Sequence, residues 1–97
     1  MAKTIEIQQP HNLGRDAAYH RVVAWQDRVR QQFGVTARWL PPTEDGSLLA
    51  ELGGKVSGHL WVRPGDVYIR LTLGTITGLF ASKIESGLRE QLVASLG

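Results

Sequence analysis

The sequence predicts an α+β fold: a twisted antiparallel sheet with two helices packed on one face, in the order β-α-β-β-β-β-α. Three observations predict it. Apolar residues alternate over several short stretches, as half-buried strands require. Two longer stretches near either end repeat apolar residues every three to four positions, as amphipathic helices do. The strand stretches follow one another across short turns rich in Pro and Gly, which suits antiparallel neighbours. Each helix has one apolar stripe to bury, so both should share one face of the sheet.

Residues 3–8 alternate, with Ile5 and Ile7 on one face and Thr4, Glu6 and Gln8 on the other. Pro10 should end this strand, because proline cannot donate to the ladder. Asn12 or Gly14 can start the first helix, and Asp16 suits the positive end of its dipole. That helix is predicted over 14–33. Ala18, Val22, Trp25, Val29 and Phe33 recur at steps of four and three. At ~100° per residue they form one stripe about 80° wide. Arg21 and Arg28 flank the stripe, and Asp16, His20, Asp27 and Gln31 lie opposite. Trp25 sits mid-stripe and is expected in the core, and Gly34 is a natural C-cap.

Val35 to Leu40 alternate again, with Val35, Ala37 and Trp39 on one face, and Pro41-Pro42 stop the strand. Thr43 to Gly46 reads as a polar turn. Ser47 to Leu52 form the next strand, and Gly53-Gly54 offers a tight hairpin. Val56, Gly58, Leu60 and Val62 alternate with Ser57, His59 and Trp61. Arg63-Pro64-Gly65-Asp66 places proline and glycine at the central positions of a type II turn. Val67, Ile69, Leu71 and Leu73 then alternate with Tyr68, Arg70 and Thr72, completing an antiparallel meander.

Residues 71–82 carry no charge, the most unusual local composition in the chain. In the second helix, Phe80, Ile84, Leu88 and Leu92 recur every four residues. Ser82 and Glu85 match a capping box, but Thr77 can cap an earlier start, which is the preferred reading. The predicted core takes Ile5, Ile7, Leu60, Val67, Ile69 and Leu71 from the strands. The first helix adds Ala18, Val22, Trp25, Val29 and Phe33, and the second adds Ile84, Leu88 and Leu92.

A chain of 97 residues is expected to form one domain. Its 42% apolar content is enough for one core. The net charge of +2 is a weak electrostatic footprint, and Lys and Arg are spread along the chain instead of clustered as in nucleic-acid binders. The absence of cysteine excludes disulfides and thiolate metal sites. No secretory signal is expected, because Met1 to Thr4 lead straight into the alternating pattern. No stretch approaches the ~18 apolar residues of a membrane span. A cytoplasmic location is expected.

The residue chemistry predicts no enzyme: no catalytic, metal or cofactor site is expected. His11, His20 and His59 have no histidine at i+3 or i+4, and only His20 has a carboxylate within four residues, Asp16. Ser57 and His59 share a strand face, the only local pairing of a hydroxyl with a base, and one common by chance. Glu44 with Asp45, and Glu85 with Glu90, read as solvated charges. The glycines follow neither the dinucleotide nor the P-loop spacing.

Two surfaces stand out. Leu73, Ile76, Leu79 and Phe80 can form an apolar lip, and such a patch marks a partner site unless it closes over the core. Trp61, Tyr68 and Arg70 should lie on the exposed face of the sheet. An aromatic sheet face can stack bases, but the balanced charge argues against nucleic acid. A homodimer covering this face is also compatible with a small sheet.

The ordered spacing of several short motifs resembles the polyhydroxyalkanoic acid system protein family. Those motifs are Pro10-His11-Asn12-Leu13-Gly14, Ala17-Ala18, Phe33-Gly34-Val35 and Trp39, followed by Val56-Ser57-Gly58, the run from Val67 to Gly74, Lys83-Ile84-Glu85 and Leu92. The resemblance covers nearly the whole chain. It departs at Pro41 to Asp45, where the family's turn is usually shorter and lacks the double proline. These are small bacterial proteins met in polyhydroxyalkanoate granule gene regions. The resemblance implies association with storage granules, or with granule proteins, and no defined catalytic activity. The expected function is a non-enzymatic accessory protein acting through the Leu73–Phe80 lip. The alternative is a carrier holding an acyl or hydroxyacyl ligand between sheet and helices, in space left by Ala81 and Gly87. That alternative draws on analogy to a reduced helix-grip domain.

Overall fold

Seven elements follow the predicted order: β1 (Lys3–Pro10), α1 (Arg15–Phe33), β2 (Val35–Trp39), β3 (Leu48–Gly54), β4 (Ser57–Val62), β5 (Asp66–Leu73) and α2 (Leu79–Leu96). This computed structural model describes residues 3–54, 56–73 and 79–96, with side chains described over 4–54, 56–72 and 82–96. The five strands form one sheet in the order β1-β5-β4-β3-β2, and every neighbouring pair is antiparallel. β1 and β2 are consecutive strands yet occupy opposite edges. The 19 residues of α1 bridge them. A helix of that length spans ~28 Å, enough to cross five strands spaced ~4.8 Å apart.

Both helices cover one face, as predicted. Ala18, Val22, Trp25 and Val29 of α1 and Leu88, Leu92 and Leu96 of α2 are buried in one cluster. That cluster includes Ile5, Ile7, Val35, Leu52, Leu60, Val62, Val67, Ile69 and Leu71 from the strands. Phe33 and Ile84, both expected in the core, are half-buried at its margin. The side chain of Phe80 lies outside the described residues. The indole Nε1 of Trp25 donates to the carbonyl of Leu88 at 3.3 Å, so the largest core side chain also ties α1 to α2. Tyr19 extends the core towards the sheet edge by packing edge-on against Trp39, with ring centroids 4.8 Å apart.

Gly34 ends α1 as predicted. Its φ of 68° is left-handed, and its N–H bonds the carbonyl of Arg30. No side chain caps the start of α1, where Gly14 takes the N-cap position. The described part of α2 begins at Leu79, so Ser82 lies inside the helix and is not its cap; Thr77, the other cap expected, lies outside the described residues.

Three local expectations are corrected. β1 does not stop before Pro10 but includes it, paired with Asp66; β1 is an edge strand, where a missing donor is tolerated. Gly53 and Gly54 do not form a two-residue hairpin loop. They belong to β3, because β2 pairs with them through Thr36 and Val35. Gly54 has a φ of 86°, and a Cβ there would fall 2.1 Å from the carbonyl oxygen of Gly34. The turn after Val62 is closed by Arg63 N–H to the carbonyl of Asp66 at 2.9 Å. Gly65 lacks the positive φ that a type II turn needs there.

Candidate functional site

With both helices on one face, the other face of the sheet has no covering layer within the chain. Its outward residues follow from period-two alternation: where Ile5, Ile69, Leu60, Leu52 and Ala37 point inward, their neighbours point out. The registers then place these outward residues in rows across the strands.

One row is largely aromatic and apolar, with Gln8 opposite Tyr68 at its β1 end. Trp61 is directly opposite Tyr68 and, on its other side, opposite Leu49. The Trp61 and Tyr68 rings lie 5.4 Å apart, and His59 is 5.8 Å from Trp61. The guanidinium of Arg63 sits 5.4 Å from the Tyr68 ring centroid, in reach of a cation–π contact. Asp66 fixes that guanidinium through Arg63 Nε at 2.7 Å, and its other oxygen accepts from Gln8 at 2.7 Å.

The adjacent row is charged. Its register runs Glu6, Arg70, His59, Glu51, Arg38, one residue from each strand in sheet order. Glu6 and Arg70 approach to 4.0 Å, and Arg38 and Glu51 to 3.3 Å. All four are more than half exposed, so each pair alone contributes at most ~1 kcal/mol. The predicted trio of Trp61, Tyr68 and Arg70 is thus brought onto one face. Arg70 belongs to the charged row, opposite His59, and not to the aromatic pair.

The lip predicted from Leu73, Ile76, Leu79 and Phe80 is described only at its margins. Leu73 closes β5, and Leu79 and Phe80 open α2. Ile76 and the side chains of the other three lie outside the described residues. Gly87, expected to leave ligand space beside α2, does not: a Cβ there would fall 2.6 Å from Phe33 Cζ, so the Phe33 ring occupies that space. Ala81, its partner in that reading, has its side chain outside the described residues.

The three histidines go to three different settings. His11 is buried, with Nδ1 accepting from the N–H of Leu13 at 3.2 Å. Its Nε2–H therefore donates to the carbonyl of Arg63 at 3.1 Å. This staples the β1–α1 connection to the β4–β5 turn, a role with no sequence signal beyond its place between Pro10 and Gly14. His20 is exposed on α1 beside Tyr19, and His59 lies on the open sheet face. Ser57 shares that face with His59, and no hydrogen bond joins them among the described residues. Among those residues no three His, Asp or Glu side chains converge as a metal site would need. Glu85 pairs with Arg89 at 3.7 Å, one turn along α2.

Asp45 is exposed in the Pro41–Ser47 loop. The Thr43 hydroxyl, and then the backbone N–H of Ser47, hold its carboxyl below the ordinary carboxylate range. On the helical side, a groove between α1 and α2 is crossed by Arg21 and Arg28, which both bond Ser95. No helix among the described residues is long and apolar enough to cross a membrane.

These features define a class: a small two-layer α+β protein with one helix-covered and one open sheet face. The chain belongs to the family described as "putative polyhydroxyalkanoic acid system protein", whose profile matches residues 5–96. No curated protein matches the chain, and no solved structure matches it.

Proposed function

We propose that this is a non-enzymatic accessory protein of polyhydroxyalkanoate storage, associating with granules or granule proteins through apolar surface around Leu73–Phe80. Family membership over residues 5–96 supports the setting. One observation carries the choice of surface: the uncharged run 71–82 is shared between the end of β5 and the first turn of α2. Leu73 in β5 and Leu79 and Phe80 in α2 lie at the described ends of that run. Apolar area placed against polymer or a partner is favourable by roughly 25 cal/mol per Å². The carrier reading has less support, since the room expected beside Gly87 holds the Phe33 ring.

The test is co-sedimentation with isolated granules, from cells with and without polymer accumulation. Enrichment only with polymer is expected, and the double substitution Ile76→Asp, Leu79→Asp should abolish it while leaving the circular dichroism spectrum unchanged. A wholly unsedimented pool in both conditions overturns the reading.

A further inference from the structure

We propose that the open sheet face is the interface of a homodimer, in which two copies pack face to face about a two-fold axis parallel to β4. The charged row carries the symmetry of this interface. From β1 to β2 it reads minus, plus, neutral, minus, plus: Glu6, Arg70, His59, Glu51, Arg38. β4 is the central strand of the sheet, and His59 is the centre of the row. Reading the row backwards inverts the sign of every charge. A row with that property complements a second copy of itself.

The inversion also selects the axis. A two-fold axis lying between the sheets and parallel to β4 exchanges the two sides of the sheet. It sets Glu6 over the partner's Arg38 and Arg70 over the partner's Glu51. Each charge then gains an opposite charge across the interface besides the one beside it in its own sheet. The same operation sets Trp61 against the partner's Trp61 and Tyr68 over the partner's Leu49, so the aromatic pair meets aromatic and apolar side chains. An axis running across the strands would instead face each charge with its own kind, which is repulsive. Face-to-face sheets pack ~10 Å apart with strands about 30° from aligned. Arg and Glu side chains are long enough to absorb the resulting offset at the sheet edges.

The size of the face sets the strength. Five strands at ~4.8 Å spacing, each about six residues of ~3.3 Å, give a face of roughly 24 by 20 Å. Two such faces bury on the order of 1,000 Å², the lower end for a specific interface. The dimer is therefore reversible and weakened by salt, because its specificity lies in exposed charges.

The experiment is sedimentation velocity of the full chain over a wide concentration range, at low and high salt, with two charge reversals. Arg70→Glu and Glu51→Arg each place like charges together twice in the dimer. Each should weaken self-association at least about ten-fold. Mixing the two variants restores both pairs: the Glu at position 70 of one meets the Arg at position 51 of the other, and Glu51 of the first meets Arg70 of the second. The mixture should associate as the wild type does, which also shows that both variants are folded. A wild type that stays monomeric throughout overturns the proposal. So does a dimer indifferent to both reversals, or a pair of weakened variants that mixing does not rescue. None of these outcomes depends on granules, so the dimer and the storage reading fail separately.

Discussion

Trp25 and Leu88 are joined by a hydrogen bond of 3.3 Å from the indole Nε1 to the helix carbonyl, inside the core. The bond matters because it fixes α2 against α1 at the point where both meet the sheet. Burial of the ring supplies most of the stabilisation, and the bond adds about 1 kcal/mol. Trp25→Phe keeps an aromatic ring but loses the donor and part of the volume. It should cost about 2 kcal/mol, and Trp25→Ala about 3–5 kcal/mol. Urea unfolding followed by circular dichroism checks both values. A loss under ~0.5 kcal/mol for Trp25→Phe would mean that neither the bond nor the added ring counts.

Phe33 and Gly87 form a size-matched pair, since a Cβ on Gly87 would meet Phe33 Cζ at 2.6 Å. Small additions can be accommodated if the half-buried ring tilts, but a branched side chain cannot. Gly87→Leu should destabilise by about 1–3 kcal/mol through overpacking. Phe33→Ala in the same chain should recover a large part of that loss, giving a coupling energy of at least about 0.5 kcal/mol in a double-mutant cycle. Additive effects would show that the two residues do not share the space, which would revive the ligand cavity.

How much of this was legible beforehand depends on the range of the signal. The stripe of α1 was readable because Ala18, Val22, Trp25 and Val29 report a local period, and all four are buried. The shared exposed face of Trp61 and Tyr68 was readable because each alternates with the Val, Leu and Ile set of its own strand. Gly53-Gly54 misled, because a hairpin signal is local whereas the pairing of β3 with β2 that claims both glycines is not. The charged row was invisible. Its five members are spread from Glu6 to Arg70, and they align only when four separate registers are known. His11 was ambiguous because its partners, Leu13 and Arg63, are backbone groups that leave no side-chain signature.

Asp45 gives the Pro41–Ser47 loop a pH dependence whose sign can be worked out. Its carboxyl is held below the ordinary carboxylate range by the Thr43 hydroxyl and the Ser47 N–H. A group whose native pKa lies below its unfolded value stabilises above the unfolded value, and that contribution is lost as pH falls through the native one. The loop should therefore be fully ordered above about pH 4 and loosen below it. The Ser47 amide reports this directly, since it donates to Asp45 at 3.1 Å. Its NMR shift should titrate below about pH 4 in the wild type and not in Asp45→Asn. A titration unchanged by that substitution would assign the effect to another carboxylate.

The proposed two-fold axis has a consequence for granule binding. Rotation about an axis parallel to β4 preserves strand direction, so the Leu73 ends of β5 in both copies point the same way. If the surface near Leu73 contacts the granule, the dimer offers two contacts on one side. The second contact forms at the high effective concentration set by the first, so avidity exceeds a single contact by about 10²-fold or more. Arg70→Glu leaves Leu73 to Phe80 unchanged but removes the second foot. It should therefore lower granule partition by at least about ten-fold at low protein loading, and the mixture with Glu51→Arg should restore it. Ile76→Asp with Leu79→Asp should abolish partition in monomer and dimer alike. Equal partition of wild type and Arg70→Glu, with dimerisation shown to be lost, would mean that each copy binds alone and that the two contacts do not engage one surface together.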